Sequence, residues 1–170
     1  MTSAKSSTQT PIRAVLGSDD AEVKRLAKQA ADIMTPADGG DFACDIIDGQ
    51  AANADDAALK VRQTIEALLT FPFFGGEKLV WLKNANFLGD NVIGRSISVT
   101  EALESLTELL TKGLDNGIRF LLSGFEIDKR RTFYKTLSKV AKIDTFDKLD
   151  TSKSGWEEGA MDLAEKIASA

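Results

Sequence analysis

The stretch Ile12-Arg13-Ala14-Val15-Leu16-Gly17-Ser18-Asp19-Asp20-Ala21-Glu22-Val23 decides the fold. A short, mostly apolar run ends at a glycine. Asp19 and Glu22 then stand as an N-terminal cap ahead of Val23, Leu26, Ala27, Ala30, Ile33 and Met34, which recur at helical spacing. The apolar pattern changes from a compact run to a helical period across one short turn, so the segment reads as a strand feeding a helix. That unit builds α/β architectures.

The unit recurs along the chain. Phe42 to Ile47, Leu79 to Leu82, Ile118 to Leu122 and Lys142 to Phe146 are predicted strands. Asp55 or Asp56 opens a helix whose buried face is Ala58, Val61, Ile65, Leu68 and Leu69, and Pro72 stops it. A third helix starts near Ser98 to Glu101 at capping-box spacing, carries Leu103, Leu106 and Leu110 on one face, and ends at Gly113. A fourth runs from about Lys129 to Val140. Strands that alternate with helices imply parallel pairing through right-handed crossovers, hence a three-layer α/β domain over residues 12–148.

Residues 1–11 are Ser/Thr-rich and read as a disordered tail. Beyond Phe146 the polar segment Asp147 to Lys153 is linker-like, and residues 149–170 read as a linker and a last helix. Ser154 and Glu157 cap that helix, and Trp156, Ala160, Leu163 and Ile167 form its apolar stripe. One helix cannot bury such a stripe alone, so it either packs on the domain or begins a second, helical one.

Composition narrows the function. The 170 residues carry a net charge of -5, with 43% hydrophobic and 28% charged residues, values of a folded globular chain. The acidic balance argues against a free-standing nucleic-acid binder, which needs a basic surface. With no histidine and one cysteine, Cys44, the common nucleophile, zinc and general-base arrangements lack most of their parts. No metal or cofactor site is read from the sequence. A lone cysteine forms no internal disulfide, which fits a reducing cytoplasm, and no apolar run is long enough to span a bilayer.

The turn at Gly17-Ser18-Asp19-Asp20 is where an α/β nucleotide-binding protein keeps its phosphate loop. Such a loop needs GxxxxGK followed by Ser or Thr, and here only Gly17 matches, while two aspartates occupy the helix start. The third strand, which would carry the acidic pair of an ATPase, ends in Lys83-Asn84. A receiver-like domain is the enzyme-like rival, with Asp19 and Asp20 as metal-binding pair and Ser123 as the hydroxyl after the fourth strand. Its acceptor aspartate should end the third strand, where Lys83 or Asn84 stands instead.

Two surfaces remain. Arg131, Lys135, Lys139 and Lys142 share one predicted helical face, either solvated or in contact with a subunit or with DNA phosphates. The run Thr70-Phe71-Pro72-Phe73-Phe74-Gly75-Gly76-Glu77-Lys78 sets three aromatics on a bend fixed by a proline and two glycines. Apolar side chains held at a connection are candidates for a partner's pocket. Phe71, nearest the helix, is expected to be buried; Cys44 and Trp81 are expected in the core.

At these residues the chain resembles the delta subunit of the bacterial DNA polymerase III clamp loader. The resemblance rests on Val15-Leu16-Gly17-Ser18-Asp19, Asp48-Gly49, the stretch from Thr70 to Val80, and Asp128-Lys129-Arg130-Arg131 leading to Tyr134-Lys135, in matching order over roughly Ile12 to Leu149. It implies an AAA+-type domain, of the P-loop NTPase class, whose ATP site is degenerate, in a non-catalytic subunit that binds the sliding clamp (beta) and helps open the ring. The implied clamp-binding pair is Phe73 and Phe74, with a phenylalanine where the family more often has leucine, supported by Phe71, Pro72, Gly75 and Gly76. It implies as partners the clamp and the other loader subunits, delta prime and tau/gamma, with DNA met only inside the assembled complex. Members of the family are typically about twice this length, so the chain is expected to end inside a second domain.

Overall fold

Strand and helix alternate as the first stretch predicts. The computed structural model describes residues 10–72, 76–149 and 156–169. Strands β1 (Ile12–Leu16), β2 (Cys44–Asp48), β3 (Lys78–Ala85), β4 (Ile118–Gly124) and β5 (Lys142–Thr145) form one sheet in the order β2-β3-β4-β1-β5. Every neighbouring pair is parallel. The helices are α1 (Asp20–Met34), α2 (Ala54–Leu69), α3 (Ile97–Lys112), α4 (Thr132–Val140) and α5 (Trp156–Ser169). The three-layer α/β reading holds. A receiver-like order would place the first strand beside the second and third; here β1 lies between β4 and β5, which removes that rival.

Side chains alternate across the sheet, and each face has its own core. Val80 and Leu82 of β3, with Ile12, Ala14, Phe120 and Leu122, meet α2, α3 and α4 on one face. Leu79 and Trp81 of the same strand, with Val15 and Leu121, meet α1 on the other. Trp81 is buried, as expected, and its indole Nε1 donates to Ser123 Oγ at 3.1 Å. Leu163 of α5 packs against this second core.

Several expectations shift for local reasons. The cap of α2 is Asn53, whose side chain accepts the Asp56 N–H at 2.9 Å, so the helix opens ahead of both aspartates. Ile33 and Leu69 are exposed, because the buried stripes run through Ala27, Ala30, Ala31 and Met34 and through Val61, Thr64 and Leu68. Helix α4 starts at Thr132 because Asp128 first closes a turn, accepting the Arg130 N–H on its carboxylate at 3.0 Å and the Arg131 N–H on its carbonyl at 3.2 Å. The predicted tail also ends early, since the Pro11 carbonyl accepts the Phe120 N–H at 2.8 Å. Residues 1–9 of the tail, the Ser154 cap and the Trp156 side chain lie outside the described residues. Among the described residues, no helix is long and apolar enough to cross a membrane.

Candidate functional site

The two stretches singled out by sequence lie at opposite ends of the sheet. The β1–α1 turn follows the carboxyl end of a central strand, where ligands of parallel sheets usually bind. The α2–β3 connection precedes the amino-terminal end of β3.

At the carboxyl end, the chain's own backbone occupies the corner. Gly17 takes φ +143°, and a Cβ added there would stand 1.9 Å from the Phe146 carbonyl oxygen. That carbonyl accepts the Asp19 N–H at 3.1 Å, while the Ser18 N–H donates to the Asp147 carboxylate at 3.1 Å. The Lys148 N–H in turn donates to Ser18 Oγ at 3.0 Å. The Asp19 side chain caps α1 by accepting the Glu22 N–H at 3.2 Å. The amides that a phosphate loop turns toward an anion therefore already face two internal carboxylates. Gly17 serves close packing of β1 against the end of β5.

The end of β3 is equally committed. Asn84 adopts φ +57°, and its N–H donates to Ser123 Oγ at 3.2 Å. Ser123 is buried between that amide and Trp81, so its hydroxyl is not presented to a phosphoryl group.

At the amino-terminal end, the described parts of the α2–β3 connection are pinned from both sides. Thr70 Oγ1 donates to the Glu66 carbonyl at 2.7 Å as α2 finishes. On the far side Glu77 pairs with Arg119, which also donates to the Met34 carbonyl at 2.9 Å. The Lys78 N–H donates to the Gly117 carbonyl at 2.9 Å, and its buried ammonium meets Asp45 at 3.0 Å. Phe73, Phe74 and Gly75 lie outside the described residues. Phe71 is 64% exposed, which corrects the expectation that it is buried: α2 ends at Leu69, and Thr70 leaves the helix with extended backbone. Pro72 is half-buried and Gly76 exposed.

The predicted basic face separates into unlike parts. Arg131 is the N-cap residue of α4 and half-buried, its guanidinium donating to the Gly94 carbonyl at 2.7 Å and to Thr100 Oγ1 at 3.3 Å. It holds the β3–α3 loop. Lys142 belongs to β5, so it shares no helical face with Lys135 and Lys139, the two exposed lysines of α4. Arg130 pairs with Asp128 at 3.0 Å and Asp90 at 3.5 Å, and the Arg130 guanidinium holds the Asp128 carboxyl below the usual carboxylate range.

Cys44 is half-buried because β2 is an edge strand with one neighbour. It lines a groove of about 670 Å³ between α1 and the ends of β2 and β3, with Lys28, Ile46, Trp81 and Lys83. Burial pushes its thiol pKa up. Sequence reasoning missed Phe42, which is 81% exposed in a 3-10 turn over Gly40–Phe42 ahead of β2. Gly39-Gly40 was the available signal.

Comparison with known proteins adds a family. The model of "DNA polymerase III, delta subunit" matches residues 16–146. No curated protein sequence matches. Among solved structures, the chain is similar to the Bacillus subtilis DNA clamp loader delta protein, with a TM-score of 0.60 and 23% identity. That match covers 84% of this chain and 40% of the other, so the likeness concerns the fold of less than half of the longer protein.

Proposed function

The chain belongs to the DNA polymerase III delta-subunit family, and from that premise we propose that it binds the sliding clamp through Phe73 and Phe74 and hydrolyses no ATP itself. The observation that carries the proposal is the contrast between the two ends of the sheet. One end is filled by Phe146, Asp147 and Lys148 beside the β1–α1 turn, and the other carries a connection pinned on both flanks, with Leu69 and Phe71 exposed where it leaves α2. On this reading the domain is AAA+-like with a degenerate nucleotide site, and its work is mechanical.

Fully burying one phenylalanine contributes about 1.5 to 3 kcal/mol, so two anchors supply roughly 3 to 6 kcal/mol before ordering costs. Fixed flanks at Thr70 and at Glu77-Lys78 reduce the conformational freedom lost on docking. Ring opening requires only that the protein bind an opened clamp better than a closed one, since a ligand shifts an equilibrium by its differential affinity. No bond is made or broken in this chain. In this proposal residues 149–170 are a linker and a helix that begins a second helical domain, with delta prime and tau/gamma as neighbours and DNA met within the assembly.

Titration of purified sliding clamp with the chain tests the proposal. The parent binds, and Phe73→Ala with Phe74→Ala weakens binding by about a hundredfold or more while the circular dichroism spectrum is unchanged. Equal affinity of a folded double variant overturns it.

A further inference from the structure

Strand β2 stands at the end of the strand order and, among the described residues, pairs with β3 alone. The flanking Ala43 carbonyl accepts the Leu79 N–H at 2.8 Å and the Gly49 N–H donates to the Lys83 carbonyl at 2.6 Å, so residues of that parity face β3. By the two-residue repeat of a strand, Cys44, Ile46 and Asp48 turn their backbone groups outward. Lys60 Nζ donates to the Asp48 carbonyl at 2.8 Å, and the N–H and C=O groups of Cys44 and Ile46 form the open row. Such a row is a template for another strand.

The side chains along this edge are of two kinds. Ile46, 57% exposed, and Trp81, its register partner on β3, give the groove an apolar floor, while Lys24 and Lys28 of α1 stand along one side. Lys83 lies two residues beyond Trp81. It is half-buried with its ammonium 5.1 Å from the Trp81 ring, and among the described residues it forms no ion pair. Asp48, opposite Lys83 in the register, instead accepts the Gln50 N–H at 3.1 Å. Lys24 also lies over an aromatic ring, that of Phe125 at 5.5 Å, and Lys28 meets Asp32 at 3.4 Å. Three lysines against Asp32 leave the groove positive in a chain of net charge -5. A half-buried ammonium without a carboxylate gains from one supplied by a partner.

We propose that this groove takes an extended, acidic peptide segment of a partner protein as an added strand beside β2. Its backbone pairs with Cys44 and Ile46, an aliphatic side chain covers Ile46, and a carboxylate two positions along meets Lys83, as the register sets that spacing. A nucleic-acid strand would answer the lysines but leave the backbone row and the apolar floor unused, which favours the peptide. Binding here needs neither Phe73 nor Phe74.

The test is a nuclear magnetic resonance titration of the chain with a capped peptide of alternating valine and threonine in which one glutamate replaces a valine. A second peptide carries lysine at the glutamate position, and an oligothymidylate strand serves as a polyanion without a peptide backbone. The glutamate peptide is expected to shift the Cys44 and Ile46 amides and slow their hydrogen exchange. Lys83→Met keeps an unbranched apolar stem at that position and removes the charge. It is expected to bind the glutamate peptide about tenfold more weakly, and the parent to bind the lysine peptide weaker by a similar factor. No change at Cys44 and Ile46 with millimolar glutamate peptide overturns the inference, as does equal affinity for the two peptides or equal affinity of parent and Lys83→Met. Oligothymidylate that binds more tightly than the glutamate peptide and depends on Lys83 assigns the groove to nucleic acid and also overturns it.

Discussion

In a Gly17→Ala variant the new methyl group would meet the Phe146 carbonyl oxygen at 1.9 Å, on a backbone held at φ +143°. Neither strain can relax alone. Moving Phe146 away breaks the hydrogen bonds from the Asp19 N–H to its carbonyl, 3.1 Å, and from its own N–H to the Leu16 carbonyl, 2.8 Å. Each such bond contributes about 0.5–1.5 kcal/mol, and a residue forced into a sparsely populated backbone region costs about 1–3 kcal/mol. Together these amount to about 4 kcal/mol, a large share of a domain's stability. In a chain of this size that corresponds to a fall of about 10 °C in the melting temperature. Urea and thermal unfolding followed by circular dichroism read the effect. A variant as stable as the parent would refute the packing of the β5 end across the turn, and with it the proposal that this corner is closed to a nucleotide.

Arg131→Ala should cost about 2 kcal/mol in urea unfolding, because its guanidinium satisfies the Gly94 carbonyl and Thr100 Oγ1, whereas Lys135→Ala and Lys139→Ala should stay within about 0.5 kcal/mol. Equal effects at all three positions would return Arg131 to the surface. Cys44 should react with a disulfide reagent at pH 8 more slowly than free cysteine. Its raised pKa leaves less thiolate at that pH, and the difference narrows as pH rises through the folded value. A rate matching free cysteine across the profile would place the thiol in open solvent.

Much of the fold was legible because the signals are local. The passage from a five-residue strand, β1, through Gly17 into a capped α1 is encoded within a few positions, and the alternation of strands and helices set the parallel three-layer arrangement. What escaped the sequence depends on distant partners. The absence of a phosphate loop could be read from the missing lysine and glycine, but the use of Asp147 to satisfy Ser18 joins residues 129 positions apart. Arg131 reads as one cation in a run, and only its proximity to Gly94, 37 positions away, makes it structural. Phe42 and Phe71 read as strand and core because aromatic residues favour both. Both stand outside the sheet and the α-helices, Phe42 in the turn that Gly40 opens and Phe71 just past the end of α2. The bend at Pro72 and Gly75-Gly76 singled out three phenylalanines, and the family resemblance narrowed them to Phe73 and Phe74.

The central claim is that this chain engages its partner at one end of the sheet while the nucleotide corner at the other end is closed. The dissociation constant for the purified sliding clamp, measured with and without magnesium ATP, tests it most directly. The account predicts binding whose affinity is the same in both conditions; absence of binding, or an affinity that changes when the nucleotide is added to the isolated chain, would contradict it.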